Sequence, residues 1–287
     1  VKGFFHRHRG ATPYLLLSPG MLWLALFFLI PLGYLVDQSL QSGSPLFGTH
    51  FTWQWSNYWD ALRGYRGEFE RSFIYAGLAT VIALVASYPV AYWIAFRGGR
   101  WKNLLLLCIV APFFVTYLIR TLAWETILAD HGLVVRLLTD IHLVSPGGRI
   151  LATGTAVVAG ITYNFLPFMA LPLYVSLEQI DPTLIEAAED LYASKWRAFL
   201  RVTFPLSLPG VVAGTLLTFI PAAGDFINAQ LLGSPTTHMI GNVIQAKYVG
   251  GFPDYPSAAA MSFILMAIIL ALVLLYARAV GTEKLTG

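Results

Sequence analysis

Two carboxylates stand where carboxylates are expensive. Asp225 lies inside a long apolar stretch and Glu125 at the outer end of another, and a charge near the centre of a bilayer costs at least about 2.5 kcal/mol on insertion scales. A carboxylate kept in such a place suits a cationic ligand. Tyr117, Trp124, Tyr163 and Phe226 would add cation–π faces worth roughly 0.5 to 2 kcal/mol each, and Asn164 and Asn228 would add hydrogen bonds. Taken together these side chains read as a lined path for an amine. Arg120, in the same apolar stretch as Tyr117, supports a second reading. It would pair with Asp225 or Glu125 to leave a neutral internal ion pair, with the rings as simple packing.

A second cluster lies between Asp181 and Pro209, in the stretch DPTLIEAAEDLYASKWRAFLRVTFPLSLP. It is dense in charge, carrying Glu186, Glu189, Asp190, Lys195, Arg197 and Arg201, so it sits in water. Asp181 is a good N-cap and Pro182 a good first helical residue, because the missing N–H of proline costs nothing there. Ala187 and Ala188 leave that helix smooth on one side, open to close approach by another surface. Ser194 caps a second short helix, in which Trp196, Phe199 and Leu200 form an apolar stripe beside the three basic residues. This helix is expected to end before Pro205, which cannot extend it without loss.

The elements that hold these clusters follow from composition. The chain has 287 residues, 57% hydrophobic and 11% charged, against about 25% charged in a soluble globular domain. It is an integral membrane protein. Six segments reach the roughly 20 residues needed to cross about 30 Å of hydrocarbon: 14–36, 72–96, 103–123, 151–175, 205–231 and 257–278. Their apolar runs lack the alternation of a barrel strand, and only helices or closed barrels satisfy their backbone in lipid. The fold class is therefore all-α, with six transmembrane helices in one domain, 1–287.

Basic residues orient the spans. Lys2, Arg7 and Arg9 precede the first, Arg97, Arg100 and Lys102 fill the 2/3 turn, Lys195, Arg197 and Arg201 lie in the 4/5 loop, and Arg278 and Lys284 follow the last. Both termini and the charged insert are thus expected to be cytoplasmic. Arg63, Arg66 and Arg71 fall in the first external loop, accompanied by Asp60, Glu68 and Glu70. In that loop Trp53, Trp55, Tyr58 and Trp59 suit either an interfacial aromatic belt or the docking of an external partner. Residues 131–143 suggest a short surface helix with Leu133, Val134, Leu137, Leu138 and Ile141 on its apolar face. The basic start and first apolar run read as an uncleaved span, because the run is too long for a signal peptide.

Several chemistries find no motif. There is no G-x-x-x-x-G-K-[ST] phosphate loop, no H-E-x-x-H helix and no G-x-S-x-G turn, so the chain is not expected to be an enzyme or to hydrolyse a nucleotide. One cysteine, Cys108, excludes an internal disulfide and a multi-cysteine metal site. The histidines His6, His8, His50, His131, His142 and His238 are scattered, and no metal or nucleic acid is expected to bind. Five prolines, Pro167, Pro172, Pro205, Pro209 and Pro221, are candidates for kinks or hinges in the spans.

The 181–204 segment resembles the EAA loop of ABC importer permeases, whose pattern is E-A-A, three residues, Gly, nine residues, an aliphatic residue, one more, then Leu-Pro. Here it reads Glu186, Ala187, Ala188, then Tyr192 where glycine is expected, then Val202, Phe204 and Pro205. APFFVTYLIRTLAWETIL, YNFLPFMALPLYVSLEQIDPTLIEAAEDL and FIPAAGDFINAQLLGSPTTHMIGNVIQ are similar to the spermidine/putrescine type of these permeases, and to its B-type subunit. The resemblance implies a type I importer permease fold in the bacterial cytoplasmic membrane. It implies that Glu186, Ala187, Ala188, Asp190, Tyr192, Ser194, Trp196 and Pro205 form a coupling loop that fits a groove on an ATP-binding subunit. It further implies two such subunits with ATP and magnesium bound to them, a second homologous permease, and an external solute-binding protein. Tyr192 is the departure: in the left-handed turn that glycine allows, a bulky residue costs roughly 1 to 2 kcal/mol, so either the turn or the docking is expected to differ.

Two other classes stand beside this one. A self-sufficient secondary transporter would need coupling-ion sites and usually internal repeats, and no convincing repeat is present. An intramembrane enzyme would need a nucleophile facing a base within the bilayer, and the spans show no such pair.

Overall fold

The computed structural model describes residues 12–44, 48–142, 145 and 148–280. Lys2, His6, Arg7, His8, Arg9 and Lys284, and with them both termini, lie outside the described residues. Helices run α1 (Thr12–Leu24), α2 (Ile30–Ser39), α3 (Ser56–Gly64), α4 (Arg66–Arg97), α5 (Lys102–Val110), α6 (Tyr117–Leu128), α7 (Leu133–Asp140) and α8 (Gly154–Glu178). They continue as α9 (Pro182–Asp190), α10 (Lys195–Ala198), α11 (Phe204–Ala223), α12 (Ile227–Leu232), α13 (Ile240–Val249) and α14 (Tyr255–Val280). Among the described residues five helical stretches are long and apolar enough to span, and a bent pair, Gly99–Phe114 and Tyr117–Leu128 at 94°, makes a sixth if it counts as one span.

The chain divides into two compact units. The first contains the described residues up to Gly64 together with Ala246–Ile264. Its leading span, Leu16–Ser39, is apolar on every side and none of its core window is buried, the pattern of a helix solvated by lipid or by other chains. After it, a short antiparallel hairpin, β1 (Gln41–Ser44) with β2 (Gly48–Phe51), pairs Gln41 with Phe51. Asn57 ties α3 to the end of that span by donating to the carbonyls of Ser39 and Gln41, both at 2.9 Å.

The second unit contains the described residues between Tyr65 and Gln245 and from Leu265 onward, and its centre is the mutual packing of α4, α8 and α11. Small residues make that packing close. Ser72, Ala76, Ala79, Thr80, Ala83, Ser87 and Ala91 recur at three- and four-residue spacing along α4 and are all buried, which lets backbones approach where lipid gives no hydrophobic drive. Against this stripe α8 sets Ile161, Phe165, Met169, Leu173 and Leu177. On α11, a Cβ at Gly210 would stand 2.6 Å from the Pro172 carbonyl oxygen, and one at Gly214 would stand 2.8 Å from the Met169 sulfur. G-V-V-A-G, residues 210–214, is thus a small-xxx-small contact with α8.

Some sequence expectations shift. Helix α4 starts at Arg66 rather than residue 72, so Arg66 and Arg71 are helical rather than in a loop. Glu70 and Glu68 neutralise them, at 2.6 and 2.7 Å. On α7 Val135 is buried, while Leu137 and Ile141 are exposed. None of the five prolines marks a break: Pro167 and Pro172 lie within α8, Pro209 and Pro221 within α11, and Pro205 in its first turn. The backbone breaks at Val115–Thr116, where both residues are extended, and at Gly224–Phe226.

Candidate functional site: a polar layer between two helix breaks, and a charged loop

The two breaks meet in one buried polar layer. Asp225 lies in the Gly224–Phe226 break, not within a span helix as the 205–231 segment would have it, because α11 ends at Ala223. With the helix interrupted, its side chain is free to cap the next one: Oδ1 accepts the backbone N–H of Asn228 in the first turn of α12 at 2.8 Å. Oδ2 accepts from the Tyr117 hydroxyl and from Asn228 Nδ2 at 3.2 Å. Tyr117 is the first residue of α6, after the other break, and its hydroxyl also accepts from Asn228 Nδ2 at 2.6 Å. From α8, Asn164 Nδ2 reaches Thr121 Oγ1 at 3.2 Å and Asn228 Oδ1 at 3.1 Å.

Four of the eight path residues, Tyr117, Asn164, Asp225 and Asn228, therefore come together. Thr121 joins them, and its place one helical turn after Tyr117 was the available signal. Asp225 is 7% exposed and both its oxygens are engaged, which satisfies a carboxylate that would otherwise be costly to bury. The alternative reading, an internal ion pair of Arg120, is not met. Arg120 forms no ion pair with Asp225 or Glu125; its guanidinium lies instead over the rings of Phe113, at 5.3 Å, and Tyr117, at 5.6 Å. The 94° bend turns Phe113, just before the break, to face the first turn of α6, and this supplies the cation with two π faces.

The other four lie outside that layer. Trp124 and Tyr163 touch each other at 5.3 Å, and Trp124 packs on Leu128, Ala156 and Leu232. Glu125 is half-buried with no ion pair among the described residues. Phe226 is exposed beside Asp225, and its carbonyl accepts from Asn242 Nδ2 at 2.8 Å.

The loop folds as its residues dictate. Asp181 accepts the Thr183 N–H at 3.0 Å and starts α9, and Ser194 accepts the Arg197 N–H at 3.4 Å and starts α10. The Asp181 bond to the Thr183 backbone holds its carboxyl below the usual carboxylate range. Between the helices Tyr192 has φ +61°, so the left-handed turn is retained with tyrosine in it. Its side chain is 95% exposed and that of Leu191 82%, with Leu184 and Trp196 also exposed. Glu186, Ala187 and Asp190 lie open to solvent and Ala188 is half-buried.

The second loop helix does not end before Pro205. It runs on through a π-turn at Phe199–Thr203 into α11, with the Phe204 N–H bonded to the Phe199 carbonyl. The wide turn just before Pro205 leaves room for its ring, and the helix passes through it. The second half of the loop, from Lys195, is consequently one continuous helical stretch with the span that ends at the Asp225 break.

Comparison with known proteins fixes the class. Residues 87–281 match the family described as binding-protein-dependent transport system inner membrane component, and the chain belongs to that family of multi-pass cytoplasmic-membrane permeases. It is 36% identical over 260 residues, 90% of each chain, to the spermidine/putrescine transport system permease protein PotB of Haemophilus influenzae. It is 38% identical over 202 residues to PotB of Escherichia coli K12, covering 70% of this chain and 73% of that one. Among solved structures, a bacterial alginate ABC transporter in complex with a periplasmic protein superposes with a TM-score of 0.75 at 17% identity, over 99% of this chain and 98% of that one. The MetNI methionine ABC transporter in an inward-facing conformation gives 0.52 at 19% identity, over 79% of this chain and 95% of that one. The fold is that of a type I ABC importer permease.

Proposed function

We propose that this chain is one of two homologous permeases in an ATP-driven importer of polyamines, working with two ATP-binding subunits and an external solute-binding protein. The observation that carries the reading is the 36% identity to a spermidine/putrescine permease across 90% of both chains. The termini and the 181–204 loop face the cytoplasm, where Glu186, Asp190 and the exposed Leu191, Tyr192 and Trp196 meet the ATP-binding subunit. ATP and magnesium belong to that partner, and this chain's part is mechanical.

Its geometry supports that part. Closure of the ATP-binding subunits moves the loop, and α10, the π-turn and α11 transmit the motion as one continuous helical stretch, Lys195–Ala223. The far end of that stretch meets the Asp225 break, where the polar layer holds α6, α8 and α12 together. Interfaces of this kind repack between discrete arrangements rather than deform gradually, which suits alternating access. The test is reconstitution with the three partners in proteoliposomes and measurement of spermidine and putrescine uptake. ATP-dependent uptake that also requires the binding protein is expected; uptake by this chain alone, without ATP, would overturn the reading.

A further inference from the structure

We infer that the rings of Phe113 and Tyr117 form a cation subsite on the transport path, that Arg120 fills it in this state, and that an ammonium group of the cargo displaces Arg120 from it. The inference rests on the polyamine reading above and deepens it.

Arg120 is 7% exposed, and its Nε and Nη1 are buried without a hydrogen-bond partner. A guanidinium placed for structural reasons spends its rigid fork of donors on acceptors, and buried polar groups are nearly always paired. Among the described residues the group lies over two aromatic faces, 5.3 and 5.6 Å away, which is how proteins bind free cations. The site is built from both sides of a helix break, since Phe113 precedes the 94° bend and Tyr117 follows it. Behind it, the Tyr117 hydroxyl donates to the Asp225 carboxylate, which makes the ring more electron-rich and its face more attractive to a cation.

Two further points favour an exchangeable occupant. Moving Arg120 breaks no hydrogen bond at Nε or Nη1. In the adjoining network Asn164 Oδ1 is a buried acceptor without a partner, and an alkylammonium brings three donors and no acceptor. A cargo ammonium brings donors of the kind that Asn164 Oδ1 lacks, and the carboxylate of Asp225 keeps its present partners.

The test is binding of radiolabelled spermidine to the purified complex of permeases and ATP-binding subunits, without the binding protein. Arg120→Met should bind about tenfold more tightly than the native complex. Phe113→Leu on that background should reverse the gain, and Arg120→Lys, which keeps a cation in place, should bind as the native complex does. An assembled Arg120→Met complex that binds no more tightly overturns the inference. If Arg120→Met fails to assemble, Phe113→Leu alone decides: reduced spermidine uptake supports the subsite, and unchanged uptake removes it. ATP-dependent uptake by the native complex, measured in the same preparation, reports on the importer reading separately.

Discussion

The hydroxyl of Tyr117 donates to the carboxylate of Asp225, joining the residue that restarts one broken span to the residue exposed by the break in another. Either group alone would be a buried polar group in need of a partner; together, with Asn228 bonded to both, they lock α6 to α12. Tyr117→Phe removes the donor and leaves the oxygens of Asp225 to Asn228 and the Ala229 backbone N–H. The expected loss is about 1–3 kcal/mol of stability, read as a lower unfolding midpoint of the detergent-purified permease. Asp225→Asn should cost less when Tyr117 is already phenylalanine. Strictly additive losses would mean that the two side chains do not act as a pair.

The layer also depends on a residue with no side chain. A Cβ at Gly160 would lie 2.6 Å from Asn228 Oδ1 and would collide with the Leu232 side chain, and both of those residues are fully buried. Neither can yield, so Gly160→Ala should destabilise by about 1–3 kcal/mol through overpacking. Gly77→Ala on α4 is the control, because nothing lies within 4 Å of the added carbon. Equal stability of the two variants would show that α12 does not press on α8 as described.

Local features are the ones legible in the residues alone. Asp181 and Ser194 announce their helices because a cap needs only the next two or three N–H groups, and the structure shows both bonds. The small-residue stripe of α4 and the G-V-V-A-G of α11 are equally present in the sequence, but mean hydropathy passes over them, since small and large apolar residues count alike. The breaks are hidden for a related reason. Val115 and Thr116 sit in an apolar run, and nothing in hydropathy separates an extended pair of residues from a helical one. The prolines draw attention instead, yet α8 and α11 continue past theirs. For Arg120, charge suggests a carboxylate partner, whereas Phe113 becomes its neighbour only after the chain bends.

The Asp181 cap gives a pH dependence. Its carboxyl is held below the usual range by the Thr183 backbone bond, so the folded state favours the ionised form. The stabilisation is complete above the unfolded carboxylate pKa, about 3.9, and is lost as pH falls through the lower folded value. Helix α9 should therefore keep its protection across the neutral range. Hydrogen exchange of residues 182–190 checks this: Asp181→Asn, which still caps, should retain slow exchange, and Asp181→Ala should not. Equal protection in all three proteins would remove the cap from the account.

Glu186 is exposed on α9 and forms no ion pair among the described residues, so none of them is held by its charge. Glu186→Lys should leave expression and unfolding midpoint within about 0.5 kcal/mol of native, yet abolish transport-coupled ATP hydrolysis in the reconstituted importer. Normal coupling in that variant would place the ATP-binding subunit elsewhere on the permease.

Tyr192 separates folding from docking most cleanly. At φ +61° it sits where glycine is free of strain and an L side chain costs about 1–2 kcal/mol, and its ring, 95% exposed, recovers none of that within this chain. Tyr192→Gly should thus raise or preserve the stability of the isolated permease, although glycine's greater freedom when unfolded offsets part of the gain. Tyr192→Val, β-branched at a positive φ, should lower it. Docking should move the other way for glycine: if the ring seats in the ATP-binding subunit, Tyr192→Gly weakens co-purification of that subunit while the permease itself becomes no less stable. A glycine variant that is less stable and still docks normally would reverse both halves of the argument, placing the tyrosine's value inside the permease rather than at its surface.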